Sequence, residues 1–566
     1  MAKELETLRH SASHVLAQAV KRLFPAAKLG IGPAIEEGFY YDFDNVEFKE
    51  EDLEKIEKEM QKIIKENQKF TKQEKTKKEA EKILKGEHYK IELLEELEGK
   101  PIFYTNGDFT DLCKGPHVKS TGEIKAFKLM KIAGAYWKGD SNKPMLQRIY
   151  GTAFTDRKEL RTYLHLLKEA EKRNHIKLGK ELGLFSMHPE GPGFPFFHPK
   201  GMIVWHELMK YWKEEHDKEG YDEIKTPIIL NKELWEQSGH WDHYKENMYF
   251  TKIDEGDYAV KPMNCPGGVL VYKTHLHSYR EFPMKHAEVG LVHRHEMSGV
   301  LNGLFRVRVF HQDDAHIYCM EEQIKDEVIK IINLIDRMYK TFGLEYNMEL
   351  STKPDKSIGS DKMWKTAEAS LKNALKEIKA DYQLNPGDGA FYGPKIDFHI
   401  KDSLGRTWQC ATIQLDFAMP ERFDLTYEGA DGKKHRPVML HRVIYGAVER
   451  FLGILIEHYA GKFPTWLSPV QVVLMTVTDR NAKFAQEIYT KMKEAGIRVE
   501  LDDRSESIGK KVRDNQLKKT NFMITLGDKE QEKKTLAIRT RDGKVKFGVK
   551  VDAFVKDIIK EIKERK

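Results

Sequence analysis

The sequence predicts a multidomain α+β protein with a central antiparallel sheet, followed by a separate α/β domain. Three observations carry this. The 566 residues exceed what one core supports and fit about three or four domains of roughly 150 residues. Lys285 to Cys319 reads as two strand-like runs joined by the Gly- and Asn-containing SGVLNG. After TWLSPVQ, strand and helix patterns alternate to the end of the chain.

Composition limits the function classes only loosely. Lysine and arginine number 95 against 89 aspartate and glutamate, so the net charge of +6 permits a nucleic-acid partner without requiring one. MAKELETLRHSASH lacks the apolar core of a secretion signal, and no run approaches the roughly 20 apolar residues that cross a bilayer. Cysteines at 113, 265, 319 and 410 are too few and too scattered for a disulfide framework, so reduced thiols in a cytoplasmic protein are expected.

Taken in order, the chain opens with a helix that puts His10 and His14, four apart, on one face. GIGPAIEEGFYYDFD reads as strand and turn. From Lys49 to Lys100, lysine and glutamate dominate, with Leu53, Ile56, Met60, Ile63 and Ile64 at helical spacing; these are amphipathic helices whose charges are solvated. In DFTDLCKGPHV, Cys113 and His117 again stand four apart, beside Asp108 and Asp111. With His10 and His14 they leave two readings open: a zinc site of imidazole and thiolate ligands, or four unrelated residues far apart in the chain. Residues 154–182 read as one long connecting helix without a buried stripe.

A Gly- and Pro-rich stretch then leads to a helix from about Met202, and YDEIKTPIIL reads as a strand carrying Pro227. AVKPMNCPGGVLVY sets Cys265 in a turn where a cysteine is ordinarily a small buried hydrophobe. In the hairpin, alternation places Arg306, Arg308, Gln312, Asp314 and His316 on one face, with Val307, Val309 and His311 on the other. Arginine binds phosphate bidentately and keeps its proton, so a face with Arg294, Arg306 and Arg308 suits a nucleoside triphosphate. GDGAFYGPKIDFHIKDSLGRTWQCATIQLDF gives two strands around the turn SLGR, with Tyr392, Lys395, Gln409 and Gln414 as polar members. LHRVIYGAVERFLG joins His441 to a glycine-started helix carrying Glu449 and Arg450. The last domain has strands QVVLMTV, IRVELDD and FMITLGD, a hairpin through Asp542-Gly543 and a final helix. Its KKVRDNQLKK is a basic helix suited to RNA.

R-H-E, a loop and F-R-V-R-V-F resemble motif 2 of the class II aminoacyl-tRNA synthetases; YDEIKTPIIL resembles motif 1 and VIYGAVERFLG motif 3. QDDAHIY is similar to the form found in the threonyl-tRNA synthetases, and the likeness covers nearly the whole chain. It implies an editing domain at 1–154, a linker helix at 155–182, a class II antiparallel catalytic domain at 183–464 and an α/β anticodon-binding domain at 465–566. It also implies a homodimer built through motif 1. The implied reaction is activation of L-threonine by ATP with Mg²⁺, then transfer to tRNA(Thr).

Carried onto matching residues, the resemblance gives Arg294 and Arg306 the α-phosphate, Arg450 the γ-phosphate, Glu296 and Phe310 the adenine, and His240 the tRNA's terminal ribose. Met263, Tyr392, Lys395, Gln409 and Gln414 are implied to bind substrate, with Gln312 and Asp314 on threonine. One Zn²⁺ is implied on Cys265, His316 and His441, a set that spacing alone does not disclose; three ligands leave an open position for substrate. Valine lacks the hydroxyl such a site requires, but serine lacks only a methyl, worth about 1 to 3 kcal/mol. A second, hydrolytic site is therefore needed. His10, His14, Cys113, His117 and Asp111 are implied to form it, positioning water and ribose without an obligatory metal. Relatives commonly begin with a small β-grasp-like domain, whereas this sequence starts at the editing helix. A synthetase for proline or serine would lack the Cys265, His316, His441 and Asp314 set, and a regulator without ligase activity would be expected to have lost the arginines.

Overall fold

The chain divides into two units, Met1–Lys168 and Glu169–Lys566, in a computed structural model that describes every residue except Met1, Ser141, Ser403 and Leu404. In the first unit, helix α1 (Ala2–Leu23) buries Ala12, Val15, Leu16, Ala19 and Val20 against a sheet containing β1 (Gly38–Asp44). Helix α2 (Glu50–Lys65) adds Ile56, Met60 and Ile63 to the same core, with Leu53 and Ile64 half-buried, as the helical spacing anticipated. A hairpin of β2 (Ile102–Asn106) and β3 (Phe109–Leu112) delivers Cys113 at its end, and β4 (Ala126–Tyr136) and β5 (Met145–Phe154) complete the main sheet. The lysine-rich stretch is not uniformly solvated. Lys90 is only 3% exposed, because it neutralises the buried Asp111 at 2.8 Å.

The single helix expected over 154–182 is two, α3 (Arg157–Arg173) and α4 (His175–Leu182). Asn174 breaks it: its backbone leaves helical geometry and its side chain accepts from the amides of Ile176 and Lys177, capping α4. Helix α3 has no buried residue, as read, whereas α4 buries His175, Leu178 and Gly179.

In the second unit, α5 (Pro199–Lys218) starts before Met202 because proline suits a helix's first turn. The motif 1 stretch forms less strand than expected: only Asp222–Glu223 joins the main sheet, and Ile229–Asn231 pairs in a separate small one. Pro227 lies between the two and can donate no ladder bond. Helix α6 (Cys265–Tyr272) precedes the hairpin β6 (Met284–His293) and β7 (Val309–Cys319). Helix α7 (Ile324–Thr341), β8 (Glu345–Ser351), α8 (Asp361–Glu377), β9 (Lys395–Lys401), β10 (Thr407–Asp416), β11 (Val438–Ala447) and α9 (Val448–His458) follow. The SLGR turn between β9 and β10 includes Ser403 and Leu404, outside the described residues. The resulting eight-stranded sheet runs Asp222–Glu223, β6, β7, β11, β10, β9, β8, Tyr382–Asn385, antiparallel except at its two edge pairs. Ala411, Ile413, Leu440 and Ile444 from one face join a core with residues of α5, α7 and α8; the alternating residues are left for a site on the other face.

Strand β11 carries a bulge where it meets β7: Gln312 pairs with Ala447, but Asp314 pairs with Val443. The surplus residues turn three amides, of Ile444, Tyr445 and Gly446, onto the Asp313 carboxylate at 3.1, 2.9 and 2.8 Å. Burial lifts the Asp313 carboxyl to about 7 against the opposing pull of Arg442 and these amides. Gly446, at a φ of 73°, closes the bulge, so the helix starts at Val448 and not at the glycine. Asp313→Ala would strand three buried donors and is expected to cost about 3 kcal/mol or more, read from a urea unfolding curve.

The C-terminal part matches the pattern read from sequence. β12 (Val472–Thr476), α10 (Ala482–Glu494), β13 (Val499–Asp502), α11 (Ile508–Leu517) and β14 (Phe522–Leu526) form parallel crossovers. The hairpin β15 (Thr535–Thr540) and β16 (Val545–Lys550) and helix α12 (Val551–Lys563) finish it. A short helix, Asp528–Lys533, had no counterpart in the sequence reading.

Candidate active site

Strand register gathers residues far apart in the chain. His316 on β7 is the cross-strand partner of His441 on β11, and His441 is in turn the partner of Gln414 on β10. Cys265 opens α6, and the ligand atoms of Cys265, His316 and His441 lie within 4.8 Å of one another, all buried. His441 Nε2 is 2.8 Å from Asp416 Oδ2, and Asp416 Oδ1 accepts from the amides of Ala418 and Met419, which fixes the ring. Asp416 was not among the residues anticipated; only the paired register reveals it. His316 Nε2 is buried with no hydrogen-bond partner among the described residues, and Asp314 Oδ1 is 3.8 Å away. Leaving such a nitrogen unmet costs about 1 to 3 kcal/mol, and a thiol with two imidazoles is a zinc donor set, so these residues fit a zinc ion.

Asp314 lies beside the set, its carboxyl raised to about 6 by burial, and Asn264 Nδ2 reaches Asp314 Oδ2 at 3.3 Å. Gly290 on β6 makes room for Asn264: a Cβ there would sit 2.1 Å from Asn264 Oδ1. Gly290→Ala is expected to cost about 1 to 3 kcal/mol and to weaken zinc retention, checked by thermal unfolding and metal analysis.

A cleft of ≈ 340 Å³ opens from Cys265 and His441 along the strands to Arg294, Arg306 and Arg450. Each arginine is anchored by its Nε: Arg294 on Pro262 O at 3.2 Å, Arg306 on Glu296 Oε2 at 2.9 Å, and Arg450 on Phe305 O at 2.9 Å. Arg450 Nη1 also reaches Gln409 O at 3.4 Å, and the remaining guanidinium nitrogens face the cleft, where they can meet an anion. Arg294 also lies over the Phe310 ring at 5.1 Å, and Phe310 packs with Val292 and Val307 as the cleft's apolar wall. Across from it, Tyr392 Oη donates to Gln414 Oε1 at 2.6 Å, and Lys395 pairs with Asp397 at 2.8 Å. Gln409 would face away by simple alternation with Gln414. A bulge opposite Phe398 and His399 restores its phase, so Gln409 Nε2 meets Asp397 Oδ1 at 2.6 Å. Gln312 and Met263 also line the cleft.

One expectation needs correction, and one site residue stands back from the cleft. Arg308 does not share the face of Arg306. Strand β7 begins only at Val309, and Arg308 turns to Glu296 O, Pro192 O and Ser298 Oγ, where it ties down the loop. His240 is fully buried behind the cleft wall, with Nδ1 2.8 Å from Ser238 Oγ and Nε2 3.0 Å from Met263 Sδ. Burial lowers its pKa to about 3, so it is neutral.

In the first unit, α1 presents His10 and His14 to Cys113 and to His117 in the following loop. Cys113 Sγ is 3.2 Å from His10 Nε2 and 3.1 Å from His117 Nε2, and His117 Nδ1 is 3.1 Å from Ser11 Oγ. The ligand atoms of this trio also lie within 4.8 Å of one another, and the buried Nε2 of His14 has no hydrogen-bond partner among the described residues. His117 stacks on Phe70 at 4.9 Å, and a cavity of ≈ 290 Å³ opens beside His10, Thr7, Pro33 and Pro116. Asp111 faces Tyr41 Oη at 2.6 Å and Lys90 at 2.8 Å. Burial drives His14 to about 3 and His117 to about 2, lowers His10, and pushes the Cys113 thiol up to about 11. All four groups are therefore uncharged at neutral pH.

This burial has a measurable consequence. The unfolded chain protonates histidine near pH 6.5 while folded His14 and His117 resist it, so their contribution is intact above about pH 6.5 and is lost as pH falls towards 3. The slope approaches about 1.4 kcal/mol per pH unit per ring. Hydrogen exchange of the α1 amides between pH 7 and 4 reads it, and His14→Phe is expected to flatten it.

Residues 249–459 match the family described as tRNA synthetase class II core domain (G, H, P, S and T), and residues 471–561 match the anticodon binding domain. The chain is 61% identical to the threonine–tRNA ligase of Clostridium tetani over 99% of its own length and 88% of that protein. It belongs to the threonine–tRNA ligase family. The threonine–tRNA ligase of Carboxydothermus hydrogenoformans is likewise 61% identical, over 99% of this chain and 89% of that one. Residues 103–150 match the second additional domain of threonyl and alanyl tRNA synthetases, which encloses the β2–β3 hairpin, Cys113 and His117. The solved RNA binding domain of threonyl-tRNA synthetase from Cryptosporidium parvum Iowa II superposes with a TM-score of 0.67 at 39% identity, covering 69% of this chain and 98% of that one. The α+β class II core, the α/β anticodon-binding domain and the editing-type domain expected of a threonine–tRNA ligase are thus all present. Among the described residues no helix is long and apolar enough to cross a membrane.

Proposed function

We propose that this chain charges tRNA(Thr) with threonine and hydrolyses the seryl-tRNA(Thr) that its first site cannot avoid making. One observation carries the reading: of the Cys265, His316 and His441 cluster, Cys265 and His441 line the same cleft as the anchored arginines. Threonine's carboxylate attacks the α-phosphorus of ATP in line, breaking the bond to the β-phosphate and releasing pyrophosphate, and the protein's part is to position groups and stabilise charge. Arg294 and Arg306 grip the α-phosphate, Arg450 the γ-phosphate, and Mg²⁺ arrives with the nucleotide. Phe310 and Glu296 flank the adenine.

Cys265, His316 and His441 would hold one zinc ion, which when bound supplies a Lewis-acid centre for the amino and hydroxyl groups of threonine. Asp314 and Gln312 orient those same groups, while Tyr392, Lys395, Gln409 and Gln414 shape the opposite wall. Valine would leave buried Asp314 unsatisfied and is rejected on that ground. The tRNA's terminal hydroxyl then attacks the carbonyl carbon of the adenylate, forming the ester and releasing AMP. His240 assists at the ribose once the flexible Met263 side chain swings aside, since Met263 covers it at 3.0 Å.

Serine passes the first site, lacking only a methyl worth about 1 to 3 kcal/mol. His10, His14, Cys113 and His117 then hold a water and the terminal ribose. With its pKa near 11 the thiol is protonated, which favours positioning of water over thiolate attack. Asp111, paired with Lys90, is close enough for its charge to help keep the Cys113 thiol protonated. The assignment of residues 1–154 to editing, 155–182 to the linker, 183–464 to catalysis and 465–566 to the anticodon belongs to this proposal. So does a cytoplasmic homodimer: Ile228 and Ile229 in motif 1 are 41% and 44% exposed, an apolar edge that a second copy would cover.

ATP–pyrophosphate exchange measured with each amino acid in turn tests the assignment. Threonine should dominate, and exchange indifferent to threonine would overturn it.

A further inference from the structure

Helix α4 begins with a buried histidine that nothing in the mechanism above uses. His175 is 1% exposed. Its Nδ1 lies 2.8 Å from Glu457 Oε1, the oxygen that also accepts the His175 backbone amide at 3.0 Å. Its Nε2 accepts the Leu304 amide at 3.0 Å. A ring nitrogen that accepts carries no proton, so the proton sits on Nδ1 and is donated to Glu457, which fixes one tautomer.

Each partner belongs to a different element that supplies the arginine cleft. Glu457 is near the end of α9, the helix that carries Arg450, and its second oxygen binds Arg406. Leu304 and Phe305 close the motif 2 loop ahead of Arg306. The Phe305 ring lies 4.0 Å from the His175 ring, and its carbonyl is the acceptor that anchors Arg450 Nε at 2.9 Å. Gly303 allows the loop to come this close: at a φ of 47°, a Cβ there would stand 2.2 Å from His175 Nε2 and 2.6 Å from Ile176 Cγ1. Arg173, just before Asn174, also donates to the carbonyl of His458 at 3.1 Å.

We infer that His175 is a positioning residue of the nucleotide site: it clamps the motif 2 loop to the motif 3 helix, so that the Phe305 carbonyl sets the direction of Arg450. The entry helix α4 thereby governs a phosphate-binding arginine through two hydrogen bonds, one from the Leu304 amide to His175 Nε2 and one from Arg450 Nε to the Phe305 carbonyl. The inference rests on the assignment of the arginine cleft to ATP.

The test compares the full-length protein with His175→Ala, His175→Gln, His175→Asn and Gly303→Ala. Calorimetric ATP titration without amino acid is combined with exchange kinetics normalised to titrated active sites. His175→Ala and Gly303→Ala should weaken ATP binding about tenfold, the loss of roughly one buried hydrogen bond, with the KM for threonine within about twofold of the parent. Glutamine, whose amide oxygen can reach the Leu304 amide, should recover most of the affinity. Asparagine, which reaches only Glu457, should not. Unchanged ATP affinity in His175→Ala, with a lower Tm alone, would make the residue structural and overturn the inference. So would a parallel rise in the KM for threonine. A parent protein that binds ATP but exchanges without regard to threonine would overturn the amino acid assignment while leaving the clamp standing.

Discussion

Cys265→Ala is expected to emerge from purification without bound zinc and to lose threonine-dependent pyrophosphate exchange by roughly 10²- to 10³-fold. The thiol is one of three buried ligand atoms within 4.8 Å, so its removal leaves only two imidazoles. Two imidazoles do not make a tight zinc site. The arginine end of the cleft stays intact, so ATP should still bind with near-parental affinity while threonine no longer does. Cys319→Ala is the matched control: Cys319 is also a buried free cysteine, but it packs in the hydrophobic core. Its variant should keep the metal and most of the activity. Parental zinc content together with parental exchange in Cys265→Ala would sink the assignment of the site.

The second large effect is in the other unit. Cys113→Ala is expected to slow hydrolysis of seryl-tRNA(Thr) by roughly 10²- to 10⁴-fold while the rate of threonine charging is unchanged. Cys113 Sγ stands between His10 Nε2 and His117 Nε2 at 3.2 and 3.1 Å, so its loss removes the atom that sets the spacing of both rings. His117→Ala should do the same. Clearance of seryl-tRNA at the parental rate in both variants would show that hydrolysis occurs elsewhere.

Patterns set by local periodicity were legible in the sequence. The two histidines on α1, the hairpin around SGVLNG and the alternation of the last domain follow from the periods of 3.6 and 2. Features that depend on which strands become neighbours were not. His316 and His441 face each other because β11 inserts beside β7 after long intervening chain, and no single-sequence pattern states that pairing. The zinc set therefore came only from family resemblance, and its bracing by Asp416 not at all. Local interruptions were hidden for another reason: a bulge or a cap costs one residue and leaves the surrounding composition unchanged. Asn174 splitting the linker, the residues that carry Gln409 into phase, and the late start of β7 that frees Arg308 are of this kind. Lys90 departs from the solvated charges around it because a buried carboxylate 21 residues away holds it inside.

The two neighbouring aspartates on β7 are unequal handles for redesign. Asp313 faces the interior and has its valences filled by main-chain amides, so it belongs to the chassis; Asp314 lines the cleft. An effort to retune which amino acid is accepted can vary the outward carboxylate while the frame stays sound, whereas changing the inward one would undo strand and helix together before any altered preference could be measured.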